Sequence, residues 1–216
     1  EPLTLTSNVG QQGARWRVSD LAGRWQTLDL TGSLVGDGGD FDAIEGDARL
    51  TGSLPDLLPA ESIDVRFAKT GTRMNARAEL TQLMAGSFED GNLVATVVGD
   101  MSELEYEAAY EGTSTFSGLR QPATLKVSGE VIEPTSQAPE ARGVFVGQML
   151  NEPFESTDPF VVRRTPDGLF GDISLRAVGG TLEATLNEAS AQPARVDLTG
   201  VSLGRLLAML GREPVE

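Results

Sequence analysis

The stretch IEGDARLTGSL, at Ile44–Leu54, decides the fold class. Its apolar and glycine residues occupy every second position, and charged or hydroxyl residues fill the positions between them. Because successive side chains of a β-strand point to opposite faces, this period of two predicts a strand that is apolar on one face and polar on the other. The five-residue sequence LTGSL at its C-terminal end also occurs at Leu30–Leu34. The distance in sequence between the two copies suits two neighbouring antiparallel strands.

The same alternation recurs along most of the chain. It is clear in SIDVRFA, RMNARAEL, ELEYEAAYE, ATLKVSGEV, GDISLRA and TLEATLN, and the turn signals GDGGD, EDGN, PDG and VGG separate the runs. Short connections join antiparallel strands, so we predict an all-β fold, an elongated and curled antiparallel sheet that forms an apolar groove. A closed β-sandwich is the alternative, because the same apolar face could pack against a second sheet.

Two segments depart from this pattern. Residues 202–210 carry apolar side chains at helical spacing behind Ser202, a good N-cap, so we predict one short C-terminal helix there. Residues 132–142 read as a long loop or an internal boundary. We otherwise treat residues 1–216 as a single β-rich segment, and we expect it to be a piece of a longer protein.

The predicted groove lining follows directly from the alternation. Each member is a large apolar residue on the apolar side of a predicted strand, and a lipid tail is the ligand that such a surface suits. The predicted lipid-binding residues are Ile44, Leu50, Leu54, Ile63, Val65, Phe67, Met74, Leu80, Leu125, Val127, Ile173, Leu175, Leu182 and Leu186.

The composition argues against several function classes. Lys and Arg total 17 against 32 Asp and Glu, a formal charge of −15, which disfavours nucleic acid and anionic membrane surfaces as partners. The chain has no Cys and no His, so thiolate metal sites are excluded and the commonest general base is missing. GVSLG at Gly200–Gly204 matches the nucleophile-elbow pattern, but Ser202 has no His to take its proton. We expect no enzymatic activity, no cofactor and no metal.

The C-terminal stretch resembles a known family. GGTLEATLNEASAQPARVDLTGVSLGRLLAMLGREPVE, at Gly179–Glu216, combines a strand pair, a phrase that leads into a Leu-rich helix, and a closing G-x-x-P-V-E. This arrangement is similar to the repeating region of the AsmA-like superfamily of bacterial envelope proteins. Within that superfamily, its sequence pattern most resembles the TamB and YdbH branches. DLAGRWQTLDLTGSL, at Asp20–Leu34, reads similarly.

The resemblance implies a fold, a place and a function. It implies a periplasmic segment of a protein that is anchored in the inner membrane and conducts phospholipid toward the outer membrane along a curled sheet. It also implies a possible outer-membrane barrel partner of the full-length chain, in outer-membrane biogenesis. Two alternatives stay open: a scaffold or chaperone segment that adds strands of client proteins to its edges, and a plain β-sandwich interaction domain.

Overall fold

The computed structural model of the chain describes residues 4–25, 27–38, 43–52, 60–85, 88–115, 120–190, 193–202, 204, 205 and 207. These residues form an all-β structure in which every strand pairing is antiparallel, as the alternation predicts. The chain divides into two compact units, Glu1–Asp100 (unit 1) and Met101–Glu216 (unit 2). The predicted loop at 132–142 lies inside unit 2.

Unit 1 is an antiparallel meander in which each strand pairs with the next along the chain. Short hairpins join several of its strands. Between the fifth and sixth strands the two-residue loop begins at Gly71, whose φ of 58° lies in the left-handed region that such turns require. Its strands are Thr4–Gln12 (β1), Arg15–Trp25 (β2), Leu28–Asp37 (β3), Ala43–Thr51 (β4), Ser62–Thr70 (β5), Arg73–Ala85 (β6) and Phe88–Gly99 (β7).

Unit 2 continues the antiparallel pattern, with one strand inserted beside the main path. The path runs from its first strand to its last in chain order, except that the short fifth strand pairs with the third and the sixth. Its strands are Glu103–Ser114 (β8), Gln121–Ile132 (β9), Glu140–Met149 (β10), Glu152–Ser156 (β11), Phe160–Thr165 (β12), Gly168–Ala177 (β13), Gly180–Asn187 (β14) and Ala194–Thr199 (β15).

Three β-bulges in unit 1 were not predicted from the sequence. Asp20 in β2, Gln82 in β6 and Asp90 in β7 have φ angles of 53°, 52° and 48°, and each lies at a shift in strand register. Asp90 belongs to the EDGN stretch, which was predicted to be a turn but lies within β7. A bulge adds one residue to one strand and therefore reverses the alternation beyond it. Val18 and Leu21, an odd number of residues apart, consequently lie on the same face.

Very few side chains are fully buried, and this decides between groove and sandwich. The buried apolar residues of the described chain are Leu28, Ala60, Tyr110, Ala123, Leu150 and Val178. A closed sandwich would bury the alternating apolar residues between two sheets, whereas the alternating residues of both units are half-exposed. The described parts of the two units are therefore sheets without a second covering layer, and the sandwich alternative is wrong for each of them.

The predicted C-terminal helix lies mostly outside the described residues. Helical backbone is described at Gly204, Arg205 and Leu207. The Arg205 amide donates a hydrogen bond of 3.4 Å to Ser202 Oγ, which is the bond expected of an N-cap. Ser202 thus acts as a structural cap.

Candidate functional site

Strand register in unit 1 brings the predicted lining residues into rows that cross the sheet. Leu50 on β4 lies opposite both Leu30 on β3 and Ile63 on β5. Ile63 in turn lies opposite Leu80 on β6, which lies opposite Leu93 on β7. Directly opposed side chains contact one another on the same face, so five large aliphatic residues form one continuous row. We call the face that carries it the apolar face of unit 1.

Two further rows of this face alternate in side-chain size. One row holds small residues beside a single valine, and the next places large residues against glycine or alanine. A row of small side chains between rows of larger ones leaves a shallow depression along the sheet. The first of these rows is Gly32, Ala48, Val65, Ala78 and Ala95, and the second is Leu34, Gly46, Phe67, Ala76 and Val97.

The end of the apolar face of unit 1 departs from the prediction. Ile44 and Met74 lie on this face as predicted, but the residue between them is Lys69, which pairs with both. The alternation of SIDVRFAK places Lys69 on the apolar side, where the long aliphatic stem of a lysine can pack beside apolar neighbours. The apolar rows therefore have a charged end.

Unit 2 has an apolar face built in the same way. Leu125 and Val127 lie on the same side of β9, and Val127 lies opposite Ala108 and Phe145. Leu182 lies opposite both Leu175 and Leu198. Parallel to that row runs another, which consists of Ile173, Ala184 and Val196, and a third consists of Gly171, Leu186 and Ala194. We call this surface the apolar face of unit 2.

Thirteen of the fourteen predicted lining residues lie in the described chain, and each lies on the apolar face of its unit. All thirteen are half-exposed. In the absence of a covering layer, such shielding comes from neighbours on the same face. The thirteen described lining residues are Ile44, Leu50, Ile63, Val65, Phe67, Met74 and Leu80 in unit 1, and Leu125, Val127, Ile173, Leu175, Leu182 and Leu186 in unit 2. Leu54 lies outside the described residues.

The alternation did not predict a recurrent pairing of aromatic residues with glycine. In each instance the two residues are direct cross-strand partners on the apolar face. A methyl group added to Gly46 would come within 2.8 Å of the Phe67 ring, which shows that the ring occupies the space above the glycine. The alternation marks both members as apolar-face positions, but only the register identifies them as partners. The pairs are Trp16–Gly36, Phe67–Gly46, Tyr106–Gly129, Phe154–Gly147 and Phe160–Gly143.

Three phenylalanines cluster on the apolar face of unit 2. The Phe145 ring centroid lies 6.1 Å from that of Phe154 and 6.2 Å from that of Phe160, both in tilted arrangements. Beside them, Tyr106 donates a hydrogen bond of 3.1 Å to the Arg142 carbonyl oxygen. Burial raises the pKa of the Tyr106 phenol above its ordinary value of 10.0, and it does the same for Tyr110. The face is therefore apolar enough to disfavour a phenolate.

A cavity of about 860 Å³ in unit 1 belongs mainly to the opposite, polar face. Of the predicted lining residues, only Val65 and Phe67 border it. Its polar and charged groups are partly paired with one another: Ser33 Oγ donates a hydrogen bond of 2.6 Å to Asp47 Oδ1, and Arg49 Nε lies 3.7 Å from Asp64 Oδ1. This cavity has the character of a solvated ionic surface and is distinct from the predicted apolar groove.

The described residues contain no group of three or more Asp, Glu, His or Cys side chains that could hold a metal ion. None of their helices is long and apolar enough to cross a membrane. The hydroxyl of Ser202, the one residue in a hydrolase-like motif, accepts the capping hydrogen bond described above.

Comparisons of the chain with protein-family models, with curated proteins and with solved structures give no match. The resemblance to the AsmA-like repeat region therefore stays a prediction from the sequence.

Proposed function

We propose that the apolar faces of both units bind the acyl chains of phospholipids, as one segment of a non-enzymatic lipid-conducting protein. One observation carries the proposal. The strand register aligns the predicted lining residues into continuous apolar rows that no second sheet of the described chain covers. A soluble protein that keeps a broad apolar surface uncovered commonly uses that surface to bind something apolar.

The direction of the rows supports an acyl chain as the ligand. The rows cross the strands, so they run along the sheet and offer a continuous apolar path from strand to strand. The row of small residues that includes Ala48 and Ala78 gives an extended methylene chain space between larger side chains. Burial of one methylene stabilises binding by about 0.8 kcal/mol, so contact along several strands suffices for stable association.

The polar face supports the same function in a different way. It carries exposed charges of both signs, including Asp47, Arg49, Arg66 and Arg77. Such a face keeps the sheet hydrated on one side while the other side stays apolar, as antiparallel sheets commonly do. Together with the resemblance noted above, this division favours a periplasmic location within a longer, membrane-anchored protein and phospholipid as the natural ligand. An outer-membrane barrel partner would act through the full-length chain.

A matched pair of variants tests the proposal. Val65→Asp places a carboxylate in the middle of the apolar rows, and Val35→Asp places one on the polar face of β3, where Val35 is also half-buried. We expect wild type and Val35→Asp to retain phospholipid through native mass spectrometry and to bind a fluorescent fatty acid. We expect Val65→Asp to bind that probe about tenfold more weakly or worse, since a carboxylate is costly to cover with methylene groups.

The readouts separate a lost site from a lost fold. Circular dichroism of both variants should match wild type, because both positions are half-exposed and a charge there can still reach water. Equal probe binding by all three proteins, or no bound lipid in wild type even after lipid is offered, contradicts the proposal. If Val65→Asp unfolded and Val35→Asp did not, the apolar face would be required for the fold and the loss of binding would not indicate a lipid site.

A scaffold that adds client strands to its edge is the second candidate function. The observation in its favour is that β1 is exposed at all nine of its residues. Binding of an unstructured β-rich peptide that is unaffected by Val65→Asp would favour this function over lipid binding.

A further inference from the structure

The strands of each unit place one basic residue on its apolar face. Outside the bulges, the described strands of unit 1 carry a single charged residue on that face, Lys69. The strands of unit 2 carry two, Arg164 and Glu152, and the Glu152 carboxylate forms an ion pair with Arg205. The chain has 32 acidic residues against 17 basic ones, so composition alone would favour an acid at such a position.

Lys69 and Arg164 occupy equivalent positions in their hairpins. Each is the penultimate residue of its strand and precedes a two-residue loop. Each also lies opposite a large apolar residue of the next strand, Met74 in unit 1 and Leu169 in unit 2. The same arrangement, a cation beside apolar side chains at the end of a hairpin, therefore occurs once in each unit.

The surroundings of Arg164 leave its side chain available to a ligand. The residue is exposed, and its guanidinium forms no ion pair within the described residues. The carboxylate of Glu188, which lies beside the same hairpin, accepts a hydrogen bond of 2.8 Å from the Leu169 amide. A cation with apolar neighbours on one side and water on the other suits a ligand that joins an anionic group to an apolar chain.

The opposite ends of the strands are closed by buried apolar side chains. In unit 1, Leu28 is buried at the start of β3, which runs in the same direction as β5, and β5 ends beside Lys69. In unit 2, Leu150 and Val178 are buried in the hairpins at the end away from Arg164. Each apolar face is therefore asymmetric, because protein side chains fill the space at one end and a cation lies at the other.

We infer that Lys69 and Arg164 bind the phosphate of a lipid headgroup, so that a bound lipid has its headgroup at these hairpins and its acyl chains on the apolar rows. The inference rests on the proposed lipid binding, and it adds the orientation of the ligand and a preference for an anionic headgroup. A guanidinium can bind two phosphate oxygens at once, and an ammonium group binds phosphate as a point charge. The net charge of −15 opposes this contact only weakly, because salt screens charges that lie more than about 8 Å apart.

Two amphiphiles with the same acyl chain test the inference: lysophosphatidic acid, which carries a phosphate, and the uncharged monoacylglycerol. Each is used below its micellar concentration to displace an uncharged fluorescent apolar dye from the protein. We expect wild type to bind lysophosphatidic acid about tenfold more tightly than monoacylglycerol. The double variant Lys69→Gln/Arg164→Gln should bind the two equally, because the acyl-chain contacts remain and both cations are gone. Glycerol 3-phosphate, which has no acyl chain, should not displace the dye.

The double variant Arg66→Gln/Arg163→Gln is the matched control. These arginines lie on the same strands, β5 and β12, but on the polar face, so the net charge changes by the same amount. This variant should keep the tenfold preference. Equal binding of both amphiphiles by wild type, or equal loss of the preference in the two double variants, would overturn the headgroup site and leave lipid binding standing.

Two other outcomes have distinct meanings. Displacement of the dye by glycerol 3-phosphate as effectively as by lysophosphatidic acid would assign the cations to free phosphate and overturn the headgroup site. If wild type bound neither the dye nor either amphiphile, the proposed function itself would fail, and the inference would fail with it.

Discussion

The apolar faces of the two units share one construction and differ in one feature. Both contain aliphatic rows, such as Leu50, Ile63 and Leu80 in unit 1, and both place aromatic rings over glycines. Unit 2 in addition sets the rings of Phe145, Phe154 and Phe160 together, with Gly143 and Gly147 beneath two of them. A face without a covering layer has to shield itself, and the comparison shows that contacts between rings can add to the shielding that aliphatic rows provide.

The stabilities of the two units can be measured separately in one chain, because each unit contains a different intrinsic chromophore. The two tryptophans, Trp16 and Trp25, lie in unit 1, and the two tyrosines, Tyr106 and Tyr110, lie in unit 2. Tryptophan fluorescence therefore follows the unfolding of unit 1, and tyrosine absorbance follows that of unit 2.

The largest expected effect comes from the aromatic cluster. Phe145→Ala should lower the free energy of unfolding of unit 2 by about 3 kcal/mol, whereas Phe67→Ala should cost unit 1 about 2 kcal/mol. Both rings are half-buried, but Phe145 makes two ring contacts, each contributing about 0.5–1.5 kcal/mol, and Phe67 makes none within the described residues. Urea unfolding followed by the two probes measures each loss. Equal losses would mean that the ring contacts add nothing beyond burial.

A smaller effect should separate two glycines of the apolar face of unit 2. A methyl group on Gly129 would approach the Cα of Gly143 to 2.6 Å, so the neighbouring backbone would have to move. On Gly171 the closest approach would be 3.4 Å, an ordinary contact. Gly129→Ala should therefore destabilise unit 2 by about 2 kcal/mol, and Gly171→Ala should change its stability by less than about 0.5 kcal/mol. Tyrosine-detected unfolding of both variants checks this, and similar stabilities would show that the strands can separate at no cost.

The smallest effect is a dependence on alkaline pH that only unit 2 should show. Burial raises the folded-state pKa of Tyr106 and Tyr110, so the folded state holds these protons more tightly than the unfolded state does. The stabilisation is fully present below pH 10 and is lost as the pH rises through the raised pKa. Phenolate absorbance should appear at higher pH in the folded chain than in the unfolded chain. Tyr106→Phe should weaken the alkaline loss in unit 2, and tryptophan-detected stability of unit 1 should not respond to it.

Short-range patterns in the sequence by themselves determine most of the fold. Alternation predicts the strands and the face on which each described lining residue lies, turn residues predict the loops at Pro166–Gly168 and Val178–Gly180, and the serine before a Leu-rich stretch predicts the cap at Ser202. These are local properties, because the side-chain period of a strand and the conformation of a turn depend on residues close in sequence.

Only the tertiary structure decided which residues meet. The pairing of Phe67 with Gly46, the row from Leu30 to Leu93 and the bulges at Asp20 and Gln82 all depend on strand register, which forms between residues distant in sequence. A bulge also reverses the alternation. Leu21 and Leu83 therefore lie on the apolar face, although strict alternation along β2 and β6 would place them on the polar face. The choice between sandwich and open face was not local either. It depended on whether a second sheet covers the apolar residues, and alternation is the same in both cases.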